Sequence, residues 1–339
     1  MDEGNKHSMT PQEISHFFSG AHLLISGGAG YLATNILLLL KDIQCHITLL
    51  DRPEAVFPDI PGKPTVMRVF ADIRSATVWE DHVNDADIVF HFAAQTSVYV
   101  SNSDPGSDLQ INFLPMVHLL ETCRKKKRNL KVLFSGTATE FGLPQKLPVD
   151  ETHPDDPLTV YDLHKLLAER YLKLYSHERI VQGAILRLAN VYGPGPRSSS
   201  ADRGVLNLMM RKALKGESLS IYGEGNYVRD YVYVEDVAWA FLAAAAAIEN
   251  VNGKHFVIGS CEGHTIADAI TLVSERAQRK TGVRVPVLHT EPPSMLSPIE
   301  FRNFIADSRE FYRATGWKAT CLLEEGIDRT LSAMVEGKA

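Results

Sequence analysis

The stretch Ser26-Gly27-Gly28-Ala29-Gly30-Tyr31-Leu32-Ala33 decides the fold. It follows the apolar run His22–Ser26 directly and opens a helix, so it reads as a strand, a tight glycine turn and a helix start. Gly27 permits the turn. Gly30 lets backbone approach a pyrophosphate at the helix N-terminus, where unsatisfied N–H groups and the helix dipole favour an anion. Ala33 takes the third small position, where helix and strand must pack closely. Taken alone, such a loop also fits a plain strand–helix turn. Asp51 separates the two readings: it ends the next apolar run 24 residues after Gly27. An acid there bonds a ribose 2′-hydroxyl and repels a 2′-phosphate. Arg52 beside it would favour a phosphorylated cofactor; Asp51 carries more weight, and the reading is NAD.

Working outward, short apolar runs alternate with helical stretches. His22–Ser26, His46–Leu50, Val66–Phe70, Asp87–His91, Lys131–Ser135 and Gly183–Arg187 read as strands buried on both faces. That alternation predicts an α/β fold, a doubly wound parallel Rossmann sheet with its ligand beyond the carboxyl ends of the strands. After about residue 190 the texture changes. A Gly/Pro/Ser loop over Gly193–Ala201 is followed by a helix at 204–216, a strand at Leu219–Tyr222 and a helix at Val234–Ile248. The expected organisation is an N-terminal tail (1–19), an NAD-binding domain (20–190) and a smaller substrate-binding lobe (191–335) that returns segments to the sheet.

Composition excludes several functions. The chain has 339 residues, 45% hydrophobic and 22% charged, enough for a sizeable core. Its 35 Lys+Arg against 41 Asp+Glu leave a net charge of −6, so no basic excess draws it to nucleic acid. The longest apolar runs fall far short of the about 20 residues a membrane helix needs. The polar, acidic N-terminus has no signal-peptide core. Cys45, Cys123, Cys261 and Cys321 are scattered, giving neither a disulfide framework nor a metal pattern. A cytoplasmic protein without a metal is expected.

Tyr161-Asp-Leu-His-Lys165 lies in a helical segment whose Leu163, Leu166, Leu167, Tyr171 and Leu174 predict one buried stripe. Tyr161 and Lys165, four apart, share another face. An ammonium there draws a phenol pKa down from about 10, making a general acid/base. The same pair also fits an ordinary surface Tyr and Lys. His164, off both faces, is read as solvated. Thr137, where the strand Lys131–Ser135 runs out at the sheet's carboxyl edge, would set a hydroxyl beside Tyr161. The order of glycine loop, acid, hydroxyl and Tyr-x-x-x-Lys makes the catalytic reading the specific one.

Over about residues 20–335 the chain resembles the extended short-chain dehydrogenase/reductases, in their nucleotide-sugar epimerase/dehydratase branch. Asp72-Ile73 resembles the adenine-contacting pair, and His91-Phe-Ala-Ala-Gln95 the fourth-strand motif lining the cofactor. The resemblance therefore implies cofactor contacts from Gly27, Gly30, Tyr31, Leu32, Asp51, Arg52, Asp72, Ile73, Ala93, Ala94, Gln95, Tyr161 and Lys165. Asn112 resembles the asparagine that supports this site. Arg187-Leu-Ala-Asn-Val-Tyr-Gly-Pro194 and Gly225–Asp236 resemble segments whose Asn190 and Arg229 would meet a sugar diphosphate. Arg302, Asn207, Thr137 and Tyr222, the last stacking on a base, complete the implied substrate set. Asp307 through Gly316-Trp317 and Leu323-Glu-Glu-Gly326 is similar to the C-terminal signature.

The family's dehydratases and many of its decarboxylases carry a carboxylate just after the hydroxyl residue of the fifth strand. Here Ala138 and Thr139 follow Thr137, resembling the Ser-Ala-Thr of UDP-glucose 4-epimerases, although Glu140 stands one position away and Phe141 replaces a tyrosine. The resemblance implies an NAD-dependent nucleotide-sugar 4-epimerase. A lyase using the same 4-keto intermediate is the alternative, and a non-catalytic NAD-binding regulator a further one. It also implies a homodimer formed through helices near 107–127 and 158–176.

Overall fold

The computed structural model describes residues 11–196, 204–293 and 296–337. Its strands, in chain order, are β1 (His22–Ser26), β2 (His46–Asp51), β3 (Thr65–Phe70), β4 (Ile88–His91), β5 (Lys131–Thr137), β6 (Gln182–Leu188), β7 (Asn190–Tyr192), β8 (Leu219–Tyr222), β9 (Val228–Tyr233), β10 (Lys254–Ile258), β11 (Gly263–Thr265) and β12 (Val287–Thr290). Seven of them form one sheet in the order β10-β6-β5-β4-β1-β2-β3, each pair parallel. Successive strands run outward from β1 through β2 to β3, then resume on its other side with β4. That switch between β1 and β4 opens the crevice where a doubly wound sheet takes its ligand.

Outside β3, an edge strand that is largely exposed against expectation, the continuous apolar runs follow from burial on both faces. Leu23 and Ile25 of β1 pack into one core with Phe90 and the helix Val234–Ala246. Leu24 points to the other, with Trp79, Leu119, Val132 and Phe134. A third cluster, including Leu206, Met210, Leu219, Ile270, Val273 and Ile327, makes the lobe. There β11-β9-β7 and β12-β8 form two small sheets. β10 returns to the edge of the main sheet beside β6.

Three expectations change. The stretch read as a tail carries the helix Pro11–Phe18, whose Ile14 and Phe18 are buried in the first core; residues 1–10 lie outside those described. Of the loop read over Gly193–Ala201, residues 197–201 also lie outside them. On the helix Val160–His177 the apolar stripe is not buried: Leu163 is 52% and Leu174 50% exposed, and Leu166, Leu167 and Tyr171 are half-buried. The buried face joins Tyr161, Ala168 and Leu172 to the polar Asp162, His164, Lys165 and Glu169. Each of these polar groups finds a partner underneath, which outweighs the apolar pattern. His164, expected in solvent, bonds Asp108 through Nδ1 at 2.7 Å. No helix among the described residues is long and apolar enough to cross a membrane.

Candidate active site

The carboxyl edge of the sheet and the lobe enclose a cleft of about 1270 Å³. Most of the residues singled out from sequence line it.

The glycine loop leaves β1 and crosses the cleft floor. Gly27 has φ +72°, and a Cβ there would sit 2.8 Å from the backbone N of Ala93. A side chain is excluded on both counts. Gly30 N–H donates to Gly27 O at 2.9 Å and closes the turn. Gly30 offers no side-chain cap to the helix Tyr31–Leu40, so the first-turn N–H groups remain for an anionic ligand. Gly28 was missed by the spacing argument; its Cβ would lie 2.7 Å from Leu49 Cβ, so its absence lets the glycine loop lie against β2. Asp51 at the end of β2 accepts from Ala29 N–H at 3.0 Å and from Arg52 N–H at 2.8 Å, which ties the acid to the loop. Arg52 turns to Glu54 at 3.3 Å. A cradle that rejects side chains, a helix start and an acid on the adjacent strand fit a dinucleotide without a 2′-phosphate.

Leu32, Ile73, Ala93, Ala94 and Gln95 line the same cleft. So does Asp72, where hydrogen bonds from Arg74 hold the carboxyl below its usual range. Tyr31 lines it too, with its phenol pushed well up by burial. Asn112 does not: its amide bonds the backbone N–H of Gln95 at 3.1 Å, the Gln95 carbonyl at 2.9 Å and Asp108 at 2.8 Å. These bonds pin the loop after β4.

β5 carries Thr137 to the cleft and ends there. Thr137 caps the short helical turn Ala138–Phe141, accepting from Thr139 N–H, while Glu140 accepts from Thr137 N–H at 3.1 Å. Glu140 therefore turns back under the sheet. It is fully buried, lies 3.0 Å from Arg187, and does not line the cleft. Burial and the neighbouring Glu169 push its carboxyl well above the usual range. Thr159 caps the helix Val160–His177, which presents Tyr161 and Lys165 to the cleft. Lys165 is almost wholly buried, with its ammonium 3.9 Å from the Phe134 ring centroid. Burial lowers it from the ordinary 10.5 to about 8, against the pull of Glu140 and Asp108.

The lobe supplies the facing wall. β7 and β9 pair in register, Asn190 opposite Tyr231, so Arg229 two residues earlier shares their face. Arg229 donates to the carbonyls of Val228 at 3.2 Å and Glu300 at 2.7 Å, and to that of Arg302. Arg302 donates to the Ile299 carbonyl at 2.9 Å and to Asn190 Oδ1 at 3.3 Å. Asn190, Arg229 and Arg302 thus meet at one place, two buried guanidiniums beside an amide, suited to a diphosphate. Asn207 lines the cleft, but its amide is committed to Gly193 N–H at 3.1 Å and the Gly193 carbonyl at 2.9 Å. Tyr222, expected on a base, is 55% exposed at the end of β8 and does not line the cleft. Among the described residues no group of three or more His, Cys, Asp or Glu side chains is placed to hold a metal.

Sequence reasoning also passed over Thr139 and Asp162. Thr139 donates to Asp162 at 2.5 Å beneath Thr137. Nothing in spacing signals a contact between residues 23 apart on different elements.

Comparison with known proteins agrees with this geometry. Residues 23–259 match the model of the NAD dependent epimerase/dehydratase family. A putative UDP-glucose 4-epimerase of Methanocaldococcus jannaschii is 32% identical over 92% of this chain and 98% of its own. The UDP-glucose 4-epimerase of Thermotoga maritima, solved with UDP-glucose, superposes with a TM-score of 0.83 at 28% identity, covering 94% of this chain and all of that one. That of Thermus thermophilus, solved with NAD, gives 0.78 at 30% identity over 92% and 98%. With the glycine cradle, the acid of β2 and the Tyr161/Lys165 pair in one cleft, the chain belongs to the NAD-dependent epimerase/dehydratase family.

Proposed function

We propose that the protein inverts C4 of a UDP-hexose or a related nucleotide sugar through a transient 4-keto sugar. NAD⁺, when bound, takes the hydride from C4 and gives it back. Gly27, Gly30 and the helix start behind them would hold its pyrophosphate, and Asp51 its ribose. Tyr161 removes the proton from the C4 hydroxyl and later returns it, and Lys165 favours the phenolate and would hold the nicotinamide ribose. Thr137 supplies a second oxygen beside the reacting one. Asn190, Arg229 and Arg302 hold the diphosphate while the sugar presents its other face.

The observation that carries this reading is the chemistry after Thr137. Ala138 and Thr139 line the cleft without a carboxylate, whereas Glu140 is buried against Arg187. No acid on this strand reaches the sugar to drive elimination, which disfavours the lyase. The test is incubation with UDP-galactose, UDP-glucose and their uronate and N-acetyl relatives, followed by mass spectrometry and NMR. Epimers of unchanged mass, with C4 deuterium retained, support the proposal; product lighter by one water, or solvent deuterium at C5, refutes it. Tyr161→Phe should cut turnover by about 10²–10⁴-fold, the range for losing a positioned acid/base.

The half-bare stripe Leu163, Leu166, Leu167, Tyr171 and Leu174 supports a homodimer through this helix and Leu114–Lys126, as an apolar helix face in water is normally covered. The buried free thiols Cys45, Cys123 and Cys321 support a reducing, cytoplasmic setting.

A further inference from the structure

Thr137 is the cleft end of a directed chain of hydroxyls. Asp162, fully buried one residue after Tyr161, accepts from Thr139 Oγ1 at 2.5 Å and from Thr159 Oγ1 at 2.7 Å. A carboxylate only accepts, so the single hydroxyl hydrogen of Thr139 is committed to Asp162. The 2.8 Å contact between Thr137 Oγ1 and Thr139 Oγ1 must then be donated by Thr137. Thr139 N–H donates to Thr137 Oγ1 as well, at 3.3 Å. What Thr137 has left for the cleft is a lone pair.

We infer that Asp162 is a positioning residue that, through Thr139, turns the Thr137 hydroxyl hydrogen away from the cleft and leaves Thr137 an acceptor toward Tyr161 and the sugar oxygen. The inference rests on the reading of Tyr161 as the acid/base. A protonated Tyr161 can donate to Thr137, whereas its phenolate meets no donor there, so the proton is held to a higher pH than with a free threonine. The charged groups on the elements about Tyr161 include Asp162, next to it in sequence, Lys165 on the same helix, and Arg229, Glu300 and Arg302 on the lobe wall, where Ile299 packs against Tyr161. Glu140 beyond β5 and Asp108 of the helix Pro105–Asn112 act on Lys165. Removing the Thr139 hydroxyl alters none of these charges.

A near-ultraviolet phenolate titration of the NAD⁺-loaded enzyme, with Tyr161→Phe subtracted, reads Tyr161 whatever sugar the enzyme prefers. Thr139→Val should lower its midpoint by about one pH unit, because a freed Thr137 hydroxyl then donates to a charged oxygen. Thr139→Ser should restore the midpoint. Asp162→Ala should lower the midpoint at least as far, since it frees Thr139 and also removes a neighbouring negative charge; if it fails to fold, the two Thr139 variants decide. An unmoved midpoint in Thr139→Val or in Asp162→Ala, or no recovery in Thr139→Ser, overturns the inference. UDP-galactose turnover of the same proteins keeps the two readings apart. Full turnover in Tyr161→Phe sinks the acid/base reading, whereas lost turnover there with an unmoved Thr139→Val midpoint sinks the positioning role alone.

Discussion

Replacing Lys165 with methionine should abolish turnover and yet stabilise the protein freed of NAD. The ammonium is buried, and that burial lowers it from 10.5 to about 8 even though Glu140 and Asp108 favour its charge. The difference corresponds to about 3 kcal/mol by which folding disfavours the protonated lysine. A base with a depressed folded value carries that cost in full below the folded value, near 8. It sheds the cost as pH rises toward the unfolded value of 10.5. Lys165→Met keeps the stem and its packing on Phe134 without the charge. Its stability advantage should therefore reach at most about 3 kcal/mol at about pH 7 and shrink toward zero by about pH 10. Urea denaturation of both proteins at the two pH values measures this, with NAD removed because a ligand stabilises by mass action. A variant no more stable than wild type at neutral pH, or a gap that does not narrow on the alkaline side, would refute the reasoning. The same substitution should weaken NAD binding, a trade of stability against function common at active sites.

Other outcomes follow from the cleft. Asp51→Ala should erode the preference for NAD⁺ over NADP⁺ in calorimetry more than it lowers thermal stability; tighter NADP⁺ binding by wild type would shift the weight to Arg52. Gly27→Ala should cost about 1–3 kcal/mol and prevent NAD retention, since its φ is left-handed and Ala93 blocks the Cβ. Arg229→Ala should weaken UDP binding by about 10- to 100-fold while NAD titrates nearly as before; equal loss of both ligands would contradict the division between lobe and sheet. Leu163→Glu should shift light scattering from a dimer mass to a monomer mass, and a monomeric wild type would remove that proposal.

The fold was legible because parallel strands buried on both faces leave unbroken apolar runs; all six runs named from sequence became strands of the main sheet, although β3, at its edge, is largely exposed rather than buried. The cofactor side was legible too, since Gly27, Gly30 and Asp51 obey local geometric needs at fixed offsets. What periodicity could not show was which helix face is buried when polar groups have partners. His164 and Asp162 read as solvated or unremarkable, but Asp108 and Thr139, brought from other elements, take them inside. Gly28 escaped for the same reason, because the atom that forbids its side chain belongs to β2. Tyr222 falls outside the cleft, and an aromatic at a strand end carries no information about which side of the lobe it leaves by.

Only Ala189 separates the end of β6 from the start of β7. The arginine wall is thus registered directly to the strand beside Thr137, with no hinge between them. On the proposed reaction, a wall tied this closely to the sheet favours turning the ketone, rather than the wall, to expose its second side. The pivot would then lie in the ligand, in the torsions joining the anchored phosphorus to the ring, and the protein would serve as a gimbal mount whose frame stays still.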